Sequence, residues 1–197
     1  MEDQEEVEGL MVRATERWML MERGKDSPES LGGAGTREFC PAWIRRAEPA
    51  DLGAMARIES RSFSNPWHPR TFRSLITQER TIVLVADVPD DGVVGYAVSW
   101  WVLDQAELGN IAVREDRRGR GIGSALLDRV LDEIRERGVE SVFLEVRMSN
   151  ARAHALYRAR GFIQIAVRAD YYRNPAEDAR VLVKDLQNIC SQFRIIR

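Results

Sequence analysis

The sequence contains few of the side chains that build disulfide frameworks and metal sites. Its 197 residues include only two cysteines and two histidines. Cys40 and Cys190 lie far apart and in no metal-binding or redox motif, so we expect free thiols in a reducing compartment. His68 and His154 do not complete a metal-ligand spacing with them. We therefore expect no metal site.

Long apolar runs and a strong excess of one charge are also lacking. No stretch approaches the length of a membrane span, and the first residues are acidic where a signal peptide is basic. The formal net charge of −2 does not favour general binding to nucleic acid or to anionic membranes. We expect a cytoplasmic protein without direct nucleic-acid or membrane contacts. The oligomeric state is left open between a monomer and a weak dimer.

The charge that is present divides the chain in two. Residues 1–36 contain nine acids and four bases, a net charge of −5, whereas residues 37–197 carry a net charge of +3. Within 1–36, the apolar spacing favours a short helix over 9–23, and glycine and proline indicate a flexible linker after it. We predict an N-terminal extension over 1–36, without assigned chemistry, and one domain over 37–197.

Hydrophobic periodicity and turn residues predict the elements of this domain. The predicted strands are 39–46, 81–88, 93–102, 106–113, 141–147, 162–168 and 180–184, and the predicted helices are 49–63, 70–78, 121–137 and 150–160. Hairpins in the first half and strand–helix–strand crossovers in the second are typical of an α/β (α+β) protein. We expect a mixed, mostly antiparallel sheet with helices on both faces.

The segment 108–127 has the pattern of a strand, a charged turn and an amphipathic helix. Gly119, Gly121 and Gly123 stand where the turn becomes the helix. Glycines at this position let backbone N–H groups approach a ligand, and the helix N-terminus adds a partial positive charge. The segment therefore predicts a phosphate-binding turn.

The spacing excludes two common phosphate-binding motifs. No lysine follows the glycines as in a Walker A motif, and the alternating glycines do not match the dinucleotide fingerprint. On residues 117–121 alone, a solvated basic turn or a nucleic-acid patch explains the arginines equally well.

Arg118-x-x-Gly121-x-Gly123 after the strand ending at Val113 resembles the acyl-coenzyme-A pyrophosphate loop of the GCN5-related N-acetyltransferase (GNAT) superfamily. Segments 65–72, 107–113, 144–162 and 171–179 resemble one subgroup, the bacterial ribosomal-protein-alanine N-acetyltransferases, or Rim-type enzymes. The resemblance extends over about residues 41–186, roughly three quarters of the chain.

The resemblance implies a fold in which strands 106–113 and 141–147 start side by side and then splay apart. It also implies transfer of an acetyl group from acetyl-coenzyme A to the N-terminal α-amine of a small-subunit ribosomal protein that begins with alanine. The attack would be direct, in a ternary complex, without a metal.

Glu145 is the general base that we expect from the residues and from the resemblance. It lies in an apolar strand on the face opposite Val142, Leu144 and Val146, and a carboxylate there is costly unless it is functional or paired. The structural alternative is an ion pair with Arg147 or another nearby arginine. Glu107 is the rival base because many relatives place their acid on that strand.

The resemblance assigns the remaining roles. Tyr157 would be the general acid for the departing thiolate, and Asn150 a cofactor contact, although Asn150 also suits a helix N-cap and Tyr157 a core position. The predicted cofactor-binding residues are Ile111, Ala112, Val113, Arg118, Gly119, Arg120, Gly121, Ile122, Gly123, Ser124 and Asn150.

A further set of residues is predicted to bind the acceptor substrate. Trp67, His68, Glu107, Tyr171 and Tyr172 are candidate substrate-binding residues, and Glu177 with Asp178 would favour a basic peptide. Surface loops would explain most of these residues as well. Two other functions stay open, namely acetylation of a lysine or small amine, and a non-catalytic acyl-coenzyme-A-binding module. The module needs neither Glu145 nor Tyr157.

Overall fold

A computed structural model describes residues 42–187 of the chain. The predicted extension over 1–36, the start of the predicted strand 39–46, Cys40 and Cys190 lie outside the described residues. The division into an extension and a domain therefore stays a prediction.

The described residues form a seven-stranded sheet in the order β1-β2-β3-β4-β5-β7-β6. The strands are β1 (Trp43–Arg46), β2 (Thr81–Val88), β3 (Gly92–Val102), β4 (Gln105–Val113), β5 (Ser141–Arg147), β6 (Ile163–Arg173) and β7 (Ala176–Asp185). Neighbouring strands are antiparallel except β4 and β5, which are parallel. The mixed, mostly antiparallel sheet is confirmed.

Between residues 42 and 187, four α-helices connect the strands in the order expected from the sequence. They are α1 (Leu52–Ser62), α2 (Pro69–Thr77), α3 (Ile122–Arg135) and α4 (Ala151–Arg158), with short 3-10 turns at Pro49–Asp51 and Glu115–Arg117. None of the helices between residues 42 and 187 is long and apolar enough to cross a membrane.

The core consists of two layers because the central strands are apolar on both faces. On β2, Ile82 and Leu84 pack towards α3 and α4, whereas Val83 and Val85 pack towards α1 and α2. Residues from helices lie in both layers, including Leu126 and Tyr157 on one side and Phe72 on the other. Helices therefore cover both faces of the sheet, as predicted.

The last two strands are longer than expected and form one hairpin. β6 and β7 cover nearly all of 163–185, and a cis peptide bond between Asn174 and Pro175 lies in the turn between them. β6 is an edge strand with most of its side chains exposed, so its sequence lacks the alternation that marks a half-buried strand. Tyr171 and Tyr172 consequently lie on β6 rather than in a loop.

Candidate active site

β4 and β5 begin side by side and then separate. Their parallel pairing consists of Gln105 with Ser141, Ala106 with Val142 and Glu107 with Phe143. Beyond these positions β4 continues along β3, and β5 continues along β7. The predicted wedge therefore opens between the second halves of the two strands.

A β-bulge at Gly109 changes which side chains of β4 face each layer. The pairing with β3 shifts there, from Leu108 opposite Ser99 to Asn110 opposite Val98. Glycine is required because a Cβ at this position would lie 2.2 Å from the ring of Trp100.

The bulge interrupts the alternation of side chains along β4. Ile111 and Val113 pack towards α3, whereas Glu107 lies between Ala106 and Leu108 and therefore faces the α1–α2 side. Alternation along a strand without a bulge would place Glu107 on the same face as Ile111 and Val113, and the bulge places it on the opposite face. Glu107 shares the α1–α2 side with Ala112 instead.

Glu145 lies on the same side of the sheet as Glu107. Its strand neighbours Leu144 and Val146 are buried in the layer under α3 and α4, as the alternation predicts. We call the α1–α2 side of the wedge, which carries Glu107 and Glu145, the carboxylate face.

Two residues of β6 hold the carboxylate of Glu145. Nη1 of Arg168 lies 2.9 Å from Oε1, and the hydroxyl of Tyr171 donates a hydrogen bond of 3.1 Å to Oε2. The Glu145 side chain is only 9% exposed, so this pairing offsets the cost of burying a charge. The ion pair considered as an alternative is therefore present, with Arg168 rather than Arg147 as the partner.

The glycine-rich turn lies at the start of α3. Gly119 and Gly121 have φ values of +80° and +84°, a conformation that other residues rarely adopt. A Cβ on either glycine would meet no atom of the described residues within 4 Å, so the space beside the backbone is open. No side chain of the described residues caps this helix end at Gly121. The turn therefore presents N–H groups that can donate hydrogen bonds to the oxygens of a phosphate.

Other residues of the turn are fixed by internal contacts. Ile122 is buried in the core, so only its backbone can face a ligand. Arg118 donates from Nε to the carbonyl oxygen of Val113 at 2.8 Å, which ties the turn to the end of β4. Gly123 lies within α3, where an added Cβ would be in ordinary van der Waals contact with Val113 and Leu156. Arg120 and Ser124, which are also predicted to bind the cofactor, lie in the same segment.

Asn150 and Tyr157 are placed by α4. The side-chain oxygen of Asn150 accepts a hydrogen bond of 3.1 Å from the N–H of Ala153, which makes it the N-cap of the helix. Tyr157 is buried, with its ring 5.6 Å from that of Phe162. Burial raises the pKa of the Tyr157 hydroxyl, which therefore stays protonated at neutral pH.

The loop between α1 and α2, residues 63–68, borders the carboxylate face. The indole of Trp67 packs against Phe72 and Trp100, with ring centroids 5.7 and 6.3 Å away. His68 accepts a hydrogen bond of 3.2 Å at Nδ1 from the N–H of Arg70 and caps α2. The structure thus gives His68 a capping contact that the sequence analysis did not consider.

Glu59 is a buried polar residue that the sequence analysis missed. Its carboxylate accepts hydrogen bonds from the N–H of Trp67 at 2.8 Å, from the amide of Asn110 at 3.1 Å and from the hydroxyl of Tyr96. These contacts join α1 and the α1–α2 loop to β3 and β4. Burial raises the pKa of Glu59. The signal was present, because Glu59 follows Met55 and Ile58 on the apolar face of α1.

Comparison with known proteins agrees with this architecture. Residues 52–162 match the acetyltransferase (GNAT) family. The chain is 39% identical over 137 residues to the ribosomal protein bS18-alanine N-acetyltransferase of Escherichia coli (strain K12), covering 70% of this chain and 90% of that protein. The corresponding enzyme of Salmonella typhimurium is 41% identical over 122 residues, 62% of this chain and 81% of that protein.

Solved structures show the same fold. The crystal structure of the Escherichia coli ribosomal-protein-alanine acetyltransferase superposes with a TM-score of 0.69 and 35% identity, covering 79% of this chain and 99% of that one. Ard1 from Thermoplasma volcanium superposes with a TM-score of 0.68 and 29% identity, covering 75% and 99%. The chain thus belongs to the GNAT family of acetyltransferases.

Proposed function

We propose that this protein transfers the acetyl group of acetyl-coenzyme A to the N-terminal α-amine of a ribosomal protein that begins with alanine. The observation that carries the proposal is the wedge between β4 and β5, with the glycine-rich turn near its opening and Glu145 on the carboxylate face. The substrate follows from the relatives, since the chain spans 90% of the Escherichia coli enzyme, which is named for ribosomal protein bS18.

The glycine-rich turn suits the pyrophosphate of coenzyme A. The open space beside Gly119 and Gly121 admits phosphate oxygens to the N–H groups at the start of α3, and the helix dipole favours their negative charge. The separated edges of β4 and β5 suit the extended pantetheine arm, which can pair with backbone groups of 111–113. Bound there, acetyl-coenzyme A supplies an activated acyl carbon and a thiol leaving group.

The residues of the chain would carry the proton transfers. The acceptor nitrogen attacks the thioester carbonyl carbon, and its proton passes to Glu145 directly or through water. A backbone N–H near Val113 would stabilise the developing negative charge on the carbonyl oxygen. Tyr157, protonated at neutral pH, would give its proton to the departing sulfur. The products are an acetylated amine and free coenzyme A.

An α-amine matches a single carboxylate base better than a lysine does. The α-amine titrates near pH 8 and lysine near pH 10.4, so removing the proton from lysine costs about 3 kcal/mol more. The reaction would take place in the cytoplasm, where ribosomal proteins are made.

Mass spectrometry of two matched peptides tests the proposal. One begins with a free alanine and contains arginine but no lysine. The other has an acetylated N-terminus and differs in sequence only by one lysine in place of an arginine. We expect acetylation of the first at its α-amine and a far slower reaction of the second. Comparable rates would favour the lysine or small-amine alternative. Coenzyme A binding without acetylation of either peptide would favour the non-catalytic module.

A further inference from the structure

Arg147, the last residue of β5, contacts both segments that border the carboxylate face. Its Nη2 donates to Oγ of Ser64 at 3.0 Å, in the loop between α1 and α2. The same nitrogen donates to the carbonyl oxygen of Asn174 at 2.9 Å, and Nη1 donates to that of Pro175 at 3.1 Å. One guanidinium therefore connects the α1–α2 loop to the turn of the β6–β7 hairpin.

Two further contacts fix the orientation of this guanidinium. Oε2 of Glu177 lies 3.1 Å from Nη1, and the guanidinium carbon lies 4.0 Å from the centre of the Tyr172 ring. The other oxygen of Glu177 accepts a hydrogen bond from the N–H of Ser149, and this bond with the one to Arg147 lowers the pKa of Glu177. Glu177 therefore holds Arg147 in place, and its charge is already paired rather than exposed for a basic peptide.

The arrangement needs arginine rather than another cation. A guanidinium is planar and has donors on both outer nitrogens, so it can serve an ion pair, a hydroxyl, two carbonyls and an aromatic ring together. A lysine ammonium at this position has three donors on one atom and cannot reach the same partners. The side chain is 22% exposed, so these contacts are partly shielded from water.

We propose that Arg147 is a positioning residue that sets the separation of the α1–α2 loop and the β6–β7 turn, and so determines how tightly the acceptor peptide is held. The proposal rests on the proposed function, because the acceptor would reach Glu145 between these two segments. Glu145 is two residues away on the same face of β5, so the connection lies beside the proposed reaction site.

Substitutions at the two ends of the Ser64 contact separate this role from ordinary stabilisation. S64A removes only the bond to the α1–α2 loop, and S64T keeps a hydroxyl. Ser60 provides a matched control because its hydroxyl donates within α1, to the carbonyl of Arg57. R147K keeps the positive charge and loses the two outer nitrogens of the guanidinium, which donate the hydrogen bonds. The measurements are acceptor KM and kcat with the alanine-first peptide, and the Kd of coenzyme A.

We expect S64A and R147K each to raise acceptor KM about tenfold and to leave the Kd of coenzyme A unchanged. S64T and S60A should resemble the parent protein. The double variant should be no worse than R147K alone, because both changes break one connection. An acceptor KM that is unchanged in S64A and R147K, or fully additive effects of the two, would overturn the proposal.

Hydrogen exchange measures the connection without any turnover. Since Arg147 joins the two segments, S64A should accelerate amide exchange in the β6–β7 turn as well as in the α1–α2 loop, whereas S60A should not. Acceleration confined to the α1–α2 loop would contradict the connection. If the parent protein does not acetylate the peptide, the proposed function fails, and the exchange data still decide whether Arg147 couples the two segments.

Discussion

Arg168 and Glu145 form an ion pair across the carboxylate face, with Nη1 and Oε1 2.9 Å apart. The two residues lie on β6 and β5, and β7 runs between these strands. The pair explains how a nearly buried carboxylate is accommodated in an apolar strand. Because this ion pair alone accounts for the burial of Glu145, its proposed role as the base has to be tested by measuring the reaction rate.

Replacing Glu145 and Glu107 of the carboxylate face by neutral glutamine tests which of them is the base. E145Q should lower kcat by a factor of about 10²–10⁴, because a positioned base is lost while the size of the side chain is kept. E107Q should have a smaller effect, and the Kd of coenzyme A should change little in either variant. Steady-state kinetics with the alanine-first peptide measure the difference. A larger loss in E107Q would place the base on β4.

Tyr157 is tested by removing only its hydroxyl. Y157F keeps the ring that packs against Phe162, so thermal stability and coenzyme A binding should be close to those of the parent protein. The kcat should fall by about 10²-fold or more, because the leaving thiolate loses its proton donor. Turnover at the parental rate would show that another group, or water, protonates the thiolate.

Coenzyme A binding should depend on Gly121, and Gly138 provides the control. Both residues have positive φ values, +84° and +75°, and a Cβ on either would meet no described atom within 4 Å. G121A and G138A should therefore lose similar stability, on the order of 1 kcal/mol, from backbone strain. Only G121A should weaken binding in calorimetry, since Gly138 lies beyond the other end of α3. Equal affinities in the two variants would contradict the location of the phosphate site.

The buried carboxylate of Glu59 should make stability depend on pH. Because burial raises its pKa above the ordinary value of 4.5, the native state binds this proton more tightly than the unfolded state. The resulting stabilisation is complete below that value and is lost as the pH rises through the folded-state pKa.

Urea unfolding of E59Q measures this contribution. The free energy of unfolding of the parent protein should fall relative to that of E59Q as the pH is raised from about 4.5 towards neutrality. E79Q, which changes an exposed glutamate before β2, should show no such trend. If the free energy of unfolding of the parent protein instead rises relative to that of E59Q as the pH increases, the pKa of Glu59 is lowered rather than raised.

The central elements were predictable because their side chains repeat with the period of the structure they form. β5 has the predicted bounds, Ser141–Arg147, since buried and partly exposed residues alternate along it. The order of strands and helices and the turn before α3 also follow from local signals, including the glycines and the amphipathic helix after them. The separation of β4 and β5 into a wedge was predicted from the family resemblance.

Other features depend on contacts between distant segments, and no local pattern encodes them. Residue 109 in the bulge of β4 must be glycine because the ring of Trp100 occupies the space of a side chain there. The bulge places Glu107 on the opposite face from Ile111 and Val113. β6 is an edge strand, where exposed residues of every kind are tolerated and the hydrophobic periodicity is lost.

The resemblance of several motifs thus predicted the family, and residue spacing along the chain predicted the order of elements and the face on which Glu145 lies. The partners of the polar side chains became known from the folded structure alone. Arg168 pairs with Glu145 across 23 positions, Glu59 with Asn110 across 51, and Arg147 with Ser64 across 83. The physical reason is that a buried charge takes whichever partner the packed sheet brings within hydrogen-bond distance, however far apart the two lie in sequence.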